Sequence, residues 1–180
     1  MIDALATSEL LKYANLLGQC HILNPCSQAQ PLPPVGKDTL LSELASHHQL
    51  FIAFDKISTD KPLKKGRLGR CYKEAYALSC INPDLVYCEG LAVPGGLGMF
   101  MPLEHAWCVH KKTKQVFDSV WTSDKAGLAY AGIPLSNHAI NKIMLKTKCY
   151  GVLTSALYKI YNDRPVHEIV HPAFQPDIFN

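Results

Sequence analysis

The sequence lacks the features that mark secreted, disulfide-rich or membrane-spanning proteins. Its seven cysteines form no C-x-x-C pair and no compact framework of spacings, so a disulfide scaffold is not indicated. No apolar run approaches the roughly 18 residues that a membrane-spanning helix needs. The start of the chain, MIDALATSELLKYANLLG, carries acids and lacks the basic segment of a signal peptide. We therefore predict a cytoplasmic protein with free thiols and no membrane association.

The sequence also has little excess charge of either sign. Its 180 residues include 18 Lys and Arg against 15 Asp and Glu, a net charge of +3, which is too small to argue for nucleic-acid binding. Positive charge is locally in excess only between Lys61 and Lys73. Two explanations stay open for that run: a solvated loop, or a surface that attracts an acidic substrate.

The length and composition indicate one domain with a sizeable core, since 48% of the residues are hydrophobic. Apolar spacing predicts an amphipathic helix over residues 3–18, and four prolines make residues 24–38 an extended connector. The single domain thus divides into an N-terminal part, residues 1–38, and a core, residues 39–180, without an internal repeat.

A short helix is predicted to begin at Cys71. In CYKEAYALSC, Cys71, Ala75 and Leu78 share one helical face, and Asn82-Pro83 ends the helix. Cys71 then lies in the first turn, where unpaired N–H groups and the helix dipole favour a thiolate, the attacking form of cysteine. The alternative is that Cys71 packs as a small hydrophobic side chain.

A β-hairpin is predicted next, with strands at residues 104–110 and 115–121 and a turn at KKTK. If Lys111 faces Lys114, the numbers of paired residues sum to an odd value. His105 and Asp118 then share one face as diagonal neighbours, whereas a slip of one residue would separate them. A carboxylate beside a histidine orients the ring and stabilises its charged form. Taken singly, His105 is more readily explained as a satisfied core histidine, and Asp118 as a solvated carboxylate near a turn.

The same alternation assigns the remaining hairpin side chains to two faces. Because both faces carry apolar residues, we predict that the two strands are central and that other elements cover the sheet on both sides. The face of His105 receives Trp107, Val109, Val116 and Val120, and the other face receives Ala106, Cys108, Phe117 and Trp121.

A further strand is predicted at residues 85–93, a loop-rich segment at 122–140 and a helix from Val152 to Ile160. LFIAFDKI, residues 50–57, fits either a buried strand or a helix.

Four side chains are predicted to line a substrate cleft beside this site. Met99 and Phe100 belong to the glycine-rich, apolar loop PGGLGMFMPL, which directly precedes the strand of His105. Trp107 lies on that strand, and Tyr130 follows the hairpin closely enough to close over the cleft. A plain connecting loop explains residues 94–103 equally well.

The stretches GRCYKEAY, HAW and VFDSVW, with the trailing YAGIPL, resemble the transglutaminase-like core of the papain-like thiol superfamily. Arylamine N-acetyltransferases share the same order of cysteine, histidine and aspartate. The resemblance covers about residues 66–135 and implies Cys71 as nucleophile, His105 as base and Asp118 as the residue that orients the base. It favours a bacterial or phage source.

These observations predict an α+β fold with a transglutaminase-like core: an antiparallel sheet, the helix of Cys71 packed on it, and flanking helices. The predicted function is cysteine-dependent acyl transfer, by hydrolysis of an amide or ester or by transfer to an amine. The expected partner is a peptide, amide or acyl substrate, without a cofactor or metal. The sequence leaves the oligomeric state undetermined.

Two other functions stay open. His167-Glu168-Ile169-Val170-His171 matches H-E-x-x-H, in which His167 and His171 would bind zinc from successive turns of a helix in a peptidase. The segment is bracketed by Pro165 and Pro172, which leaves little room for such a helix. The other alternative is a binding module of the same fold without catalytic activity.

Overall fold

A computed structural model describes residues 52–53, 55–56, 66–95, 102–121, 127–153 and 168–174. The predicted helix at 3–18, the connector at 24–38, and Met99 and Phe100 lie outside the described residues. The helices and strands of the described part are β1 (Ile52–Ala53), β2 (Asp55–Lys56), α1 (Cys71–Ile81), β3 (Leu85–Val93), β4 (Leu103–His110), β5 (Gln115–Phe117), β6 (Ala129–Pro134), α2 (Asn137–Thr147) and the 3₁₀ turn η1 (Pro172–Phe174).

One sheet carries all of these strands, in the order β1-β6-β3-β4-β5-β2. Every neighbouring pair is antiparallel except β2 and β5, which are parallel. β1 and β2 lie at opposite edges of the sheet although one residue separates them in the chain. Consecutive Cα atoms are 3.8 Å apart, so the two edges must come close together and the sheet curls.

The centre of the sheet is β3, which pairs with β4 on one side and β6 on the other. All nine of its residues are buried, which explains why LVYCEGLAV shows no alternation of apolar and polar residues. Its bounds, 85–93, are those predicted from the sequence. The expected α+β class with an antiparallel sheet is therefore confirmed.

α1 begins at Cys71 because the chain turns sharply just before it. Gly69 has φ +76°, and the N–H of Arg70 donates to the carbonyl of Arg67 at 3.1 Å. At the other end Asn82 is extended, as expected before Pro83, so the predicted helix is confirmed. The helix packs on β3 and β4.

The hairpin β4–β5 has the predicted register. Cys108 pairs with Phe117 and Val109 with Val116, which gives the odd sum that the sequence analysis required. β5 ends at Phe117, however, and the prediction of a strand to residue 121 was wrong. Asp118 Oδ1 accepts the N–H groups of Val120 and Trp121, at 2.9 and 3.0 Å, so the chain turns there.

The prediction of a loop-rich segment at 122–140 was also wrong, because β6 and the start of α2 lie within it. Gly132 of β6 pairs with Gly90 of β3, and neither position has room for a larger residue. A Cβ on Gly132 would lie 2.6 Å from the carbonyl oxygen of Glu89 and 2.7 Å from the Trp107 ring. The glycine that suggested a loop is instead required by the close approach of strand and indole.

α2 contacts α1 through polar side chains. The Tyr76 hydroxyl donates to Asn141 Oδ1, and the Asn137 side chain donates to the Ser79 carbonyl at 3.3 Å. Ile140 and Ile143 are buried. Beyond α2, the predicted helix does not begin at Val152, because residues 152–153 form a bend; residues 154–160 lie outside the described residues. Within the described part of the chain, no helix is both long and apolar enough to cross a membrane.

Candidate active site

His105 and Asp118 form a buried pair. His105 Nε2 lies 2.7 Å from Asp118 Oδ2, and the two residues are only 2% and 9% exposed. Since a carboxylate can only accept, Nε2 must carry the hydrogen of this bond. The other ring nitrogen, Nδ1, is left for a second partner.

The Asp118 carboxylate is held in place by four donors. Its Oδ1 binds the backbone N–H groups of Val120 and Trp121, and its Oδ2 binds His105 and the hydroxyl of Tyr130, at 3.0 Å. The first two bonds belong to the turn that ends β5, so the strand end itself orients the carboxylate. A charge buried in this way is stabilised because each oxygen has two donors.

The third predicted catalytic residue, Cys71, is partly buried and therefore reachable from solvent. Its side chain lies close enough to His105 to raise the pKa of the imidazole. The structure thus brings Cys71, His105 and Asp118 together in the order that the sequence analysis proposed. Cys71 is partly exposed, while the imidazole and the carboxylate are buried.

The pKa of His105 is raised to about 9 from the ordinary 6.5. Burial alone would lower it, because a buried imidazole resists charging. That effect is outweighed by the hydrogen bonds with Asp118 and then Cys71, and by the negative charges of both. Asp118 and Cys71 therefore both favour the charged form of His105.

The indole of Trp121 lies flat on the imidazole of His105, with ring centroids 3.8 Å apart and 7° between the planes. An aromatic face stabilises a cation placed over it, so this contact also favours the charged histidine. Trp121 was predicted on the opposite face of the hairpin, which was wrong because the turn at Asp118 takes it out of the strand register. The D-S-V-W sequence held the signal, since Asp frequently begins such turns.

Trp107 and Tyr130, both predicted to line a substrate cleft, are each 1% exposed. Their rings contact one another edge to face, with centroids 5.2 Å apart. Both rings are buried: Trp107 stacks near His105, and the Tyr130 hydroxyl donates to Asp118. Sequence reasoning missed the bond from Tyr130 to Asp118, because β6 itself was not recognised.

Cys108 does not compete with Cys71 for the role of nucleophile. It is fully buried, and its thiol donates to the carbonyl of Ala75 in α1 at 3.1 Å. Burial also raises the pKa of this thiol. Cys80 and Cys149 are exposed free thiols, and they provide an internal standard for the reactivity of Cys71.

The zinc hypothesis requires a helix through residues 167–171, and the described part of this segment does not form one. Val170 makes a β-bridge with Leu135, and the N–H of His171 donates to the carbonyl of Pro134 at 2.9 Å. His167 lies outside the described residues. Among those described, no three His, Cys, Asp or Glu side chains converge to hold a metal ion. The β-bridge of Val170 and the backbone bond of His171 therefore argue against the helical zinc motif.

Positive charge surrounds the approach to Cys71. Arg67, Arg70 and Lys73 are exposed, and Glu74 is the one acid in α1. Within the described residues, neither arginine forms an ion pair.

A scan against protein-family models, a search of curated proteins and a search of solved structures each found no match.

Proposed function

We propose that this chain is a thiol enzyme that transfers acyl groups, with Cys71 as nucleophile, His105 as proton carrier and Asp118 as the group that orients His105. One observation carries the proposal. The buried His105 is hydrogen-bonded through Nε2 to the Asp118 carboxylate, and the partly exposed thiol of Cys71 lies close enough to raise the pKa of the imidazole. The helix of Cys71 packed on an antiparallel sheet agrees with the resemblance to the transglutaminase-like core of the papain-like thiol superfamily.

In the first half of the proposed reaction, the Cys71 thiol gives its proton to His105. The thiolate attacks the carbonyl carbon of an amide or ester, and a carbon–sulfur bond forms. The imidazolium then gives its proton to the leaving nitrogen or oxygen as the original bond breaks. The N–H of Cys71, in the first turn of α1, is the candidate donor to the oxyanion.

In the second half, neutral His105 accepts a proton from water or from an amine as that nucleophile attacks the thioester. The carbon–sulfur bond breaks, the thiolate returns, and the imidazolium is restored. Asp118 keeps its charge throughout, because its role is to hold the ring and to stabilise the positive form. Water gives hydrolysis, and an amine gives transamidation.

The charges around Cys71 favour a substrate with an anionic group near the reacting carbonyl. Arg67 and Arg70 bracket the turn that leads into α1, and both are exposed. A Cβ on Gly69, between them, would meet nothing within 4 Å, so this side is open. Peptide, isopeptide and other acyl compounds that carry a carboxylate or phosphate all fit this description.

A small activated ester tests the proposal without knowledge of the natural substrate. With p-nitrophenyl acetate, we expect a stoichiometric burst of nitrophenolate and an acetyl thioester on Cys71, detected by peptide mass spectrometry. The variant C71S should give neither, and the matched variant C149S, which removes an exposed thiol, should give both. The absence of a burst, as expected of an inactive binding module, would refute the proposal. Acetylation of several cysteines to the same extent would refute it as well.

A further inference from the structure

We propose that Tyr130 is a positioning residue: its phenol shares Asp118 Oδ2 with His105 and thereby limits how firmly the carboxylate holds the proton on the imidazole. The effect of Tyr130 on catalysis rests on the proposed function. The effect of the phenol on the basicity of His105 does not, and it can be tested separately.

The direction of the hydrogen bonds around Tyr130 is fixed. The N–H of Gly127 donates to the phenol oxygen at 3.1 Å, so that oxygen is an acceptor there. The one phenol proton is then directed at Asp118 Oδ2, 3.0 Å away, which also receives His105 Nε2–H at 2.7 Å. Two donors thus share one carboxylate oxygen.

The phenol has no other arrangement available. Tyr130 is 1% exposed, and its ring is packed against Trp107. Gly127 is required for this geometry, because a Cβ on Gly127 would lie 2.3 Å from the phenol oxygen. The hydroxyl is therefore held on Asp118 by the packing of β6 and by the backbone of Gly127.

A second donor draws electron density from the oxygen that His105 uses, and so weakens the preference of Asp118 for a charged imidazole. Without the phenol, Asp118 would hold the imidazolium more firmly, and His105 would release its proton to a leaving group less readily. A stronger donor at position 130 would do the opposite. The burial of the group makes either effect measurable, since solvent cannot replace the lost bond.

The test is the titration midpoint of His105, followed by NMR in the full chain with isotope-labelled histidine and assigned with H105Q. We expect Y130F to raise the midpoint by about half a pH unit to one pH unit, the size that loss of one hydrogen bond implies. Site-specific fluorotyrosine at position 130, a stronger donor of nearly the same shape, should lower it. The matched variant Y76F, which removes the hydroxyl bonded to Asn141, should leave it unchanged.

Shifts of opposite sign in the two position-130 variants would support the proposal, because a purely structural role predicts no such reversal. An unchanged midpoint in both variants, or a shift of the same sign in both, would overturn it. Fluorotyrosine keeps the ring and the hydroxyl, so its outcome stands even if Y130F fails to fold. The proposed enzyme activity is tested by the ester burst at Cys71, and the two tests can fail independently.

Discussion

The backbone N–H of Gly66 donates to the carbonyl of Ser119 across 2.7 Å. This bond joins the segment that leads into α1 to the turn that follows Asp118. A Cβ on Gly66 would lie 3.1 Å from side-chain atoms of both Glu74 and Val120, so the approach is close on two sides. The thiol helix and the carboxylate turn are thus fixed to each other directly, as well as through His105.

The stability of the protein should depend on pH through His105. Its pKa in the folded state, about 9, lies above the ordinary 6.5, so folding stabilises the protonated form. That contribution is fully present below about pH 6.5 and is lost as pH rises through 9. A gap of this size corresponds to on the order of 3 kcal/mol in the free energy of unfolding.

The measurement is urea denaturation of the wild type and of H105Q at intervals from pH 6 to pH 9.5. We expect the difference between their free energies of unfolding to be largest at the acidic end and to shrink towards pH 9.5. Ionisable groups that do not interact with His105 are common to both proteins and cancel in the difference, whereas the couplings of His105 to Asp118 and Cys71 contribute to it. A difference that is constant over this range would contradict the raised pKa.

Several elements could be predicted from the sequence because their signals are local. Pro83 ends one helix and precedes one strand, and residues 85–93 form a run that is apolar apart from Glu89 and Gly90. The hairpin register followed from the assumption that Lys111 faces Lys114 across the turn. That register was enough to bring His105 and Asp118 to the same side.

Other parts of the site depend on contacts between segments distant in sequence. Trp121 reaches His105 only because Asp118 turns the chain, and Tyr130 reaches Asp118 only because β6 pairs with β3. Gly132 and Pro134 are ordinarily read as loop residues, and nothing local shows that Gly132 faces Gly90. The positions of these side chains therefore required the structure.

Gly132 should be more sensitive to substitution than a glycine that merely adopts a positive φ. In G132A the new methyl group would meet the Glu89 carbonyl and the Trp107 ring, both in the interior. We expect a loss of roughly 2 to 4 kcal/mol in the free energy of unfolding. The signal of Trp107 in near-ultraviolet circular dichroism should change as well.

The matched control is G69A. Gly69 has φ +76° but open space around it, so only the left-handed backbone conformation is penalised, by about 1 kcal/mol. If G132A were no more destabilising than G69A, the close packing of β3, β6 and the indole would be refuted.

The positive approach to Cys71 should favour anionic reagents. Iodoacetate and iodoacetamide alkylate by the same chemistry and differ in charge. We expect R67Q combined with R70Q to slow iodoacetate at Cys71 about three- to tenfold, while the rate with iodoacetamide changes little. Added salt should reduce the preference of the wild type in the same direction.

The control for charge alone is K112Q, which removes an exposed lysine from the turn between β4 and β5. It lowers the net charge without touching the turn before α1, so both reagents should react as in the wild type. If K112Q slowed iodoacetate as much as R67Q or R70Q alone, the preference for the anionic reagent would come from the net charge rather than from Arg67 and Arg70.

The most direct test of the central claim is the rate at which iodoacetamide labels each cysteine of the folded protein at pH 7, read by peptide mass spectrometry. Accessibility alone predicts that Cys80 and Cys149, which are exposed, react faster than the partly buried Cys71. A thiolate paired with His105 predicts the reverse, with Cys71 at least about tenfold faster and this advantage lost in H105Q and D118N. If Cys80 or Cys149 reacts as fast as Cys71, the Cys71–His105–Asp118 group does not activate a nucleophile.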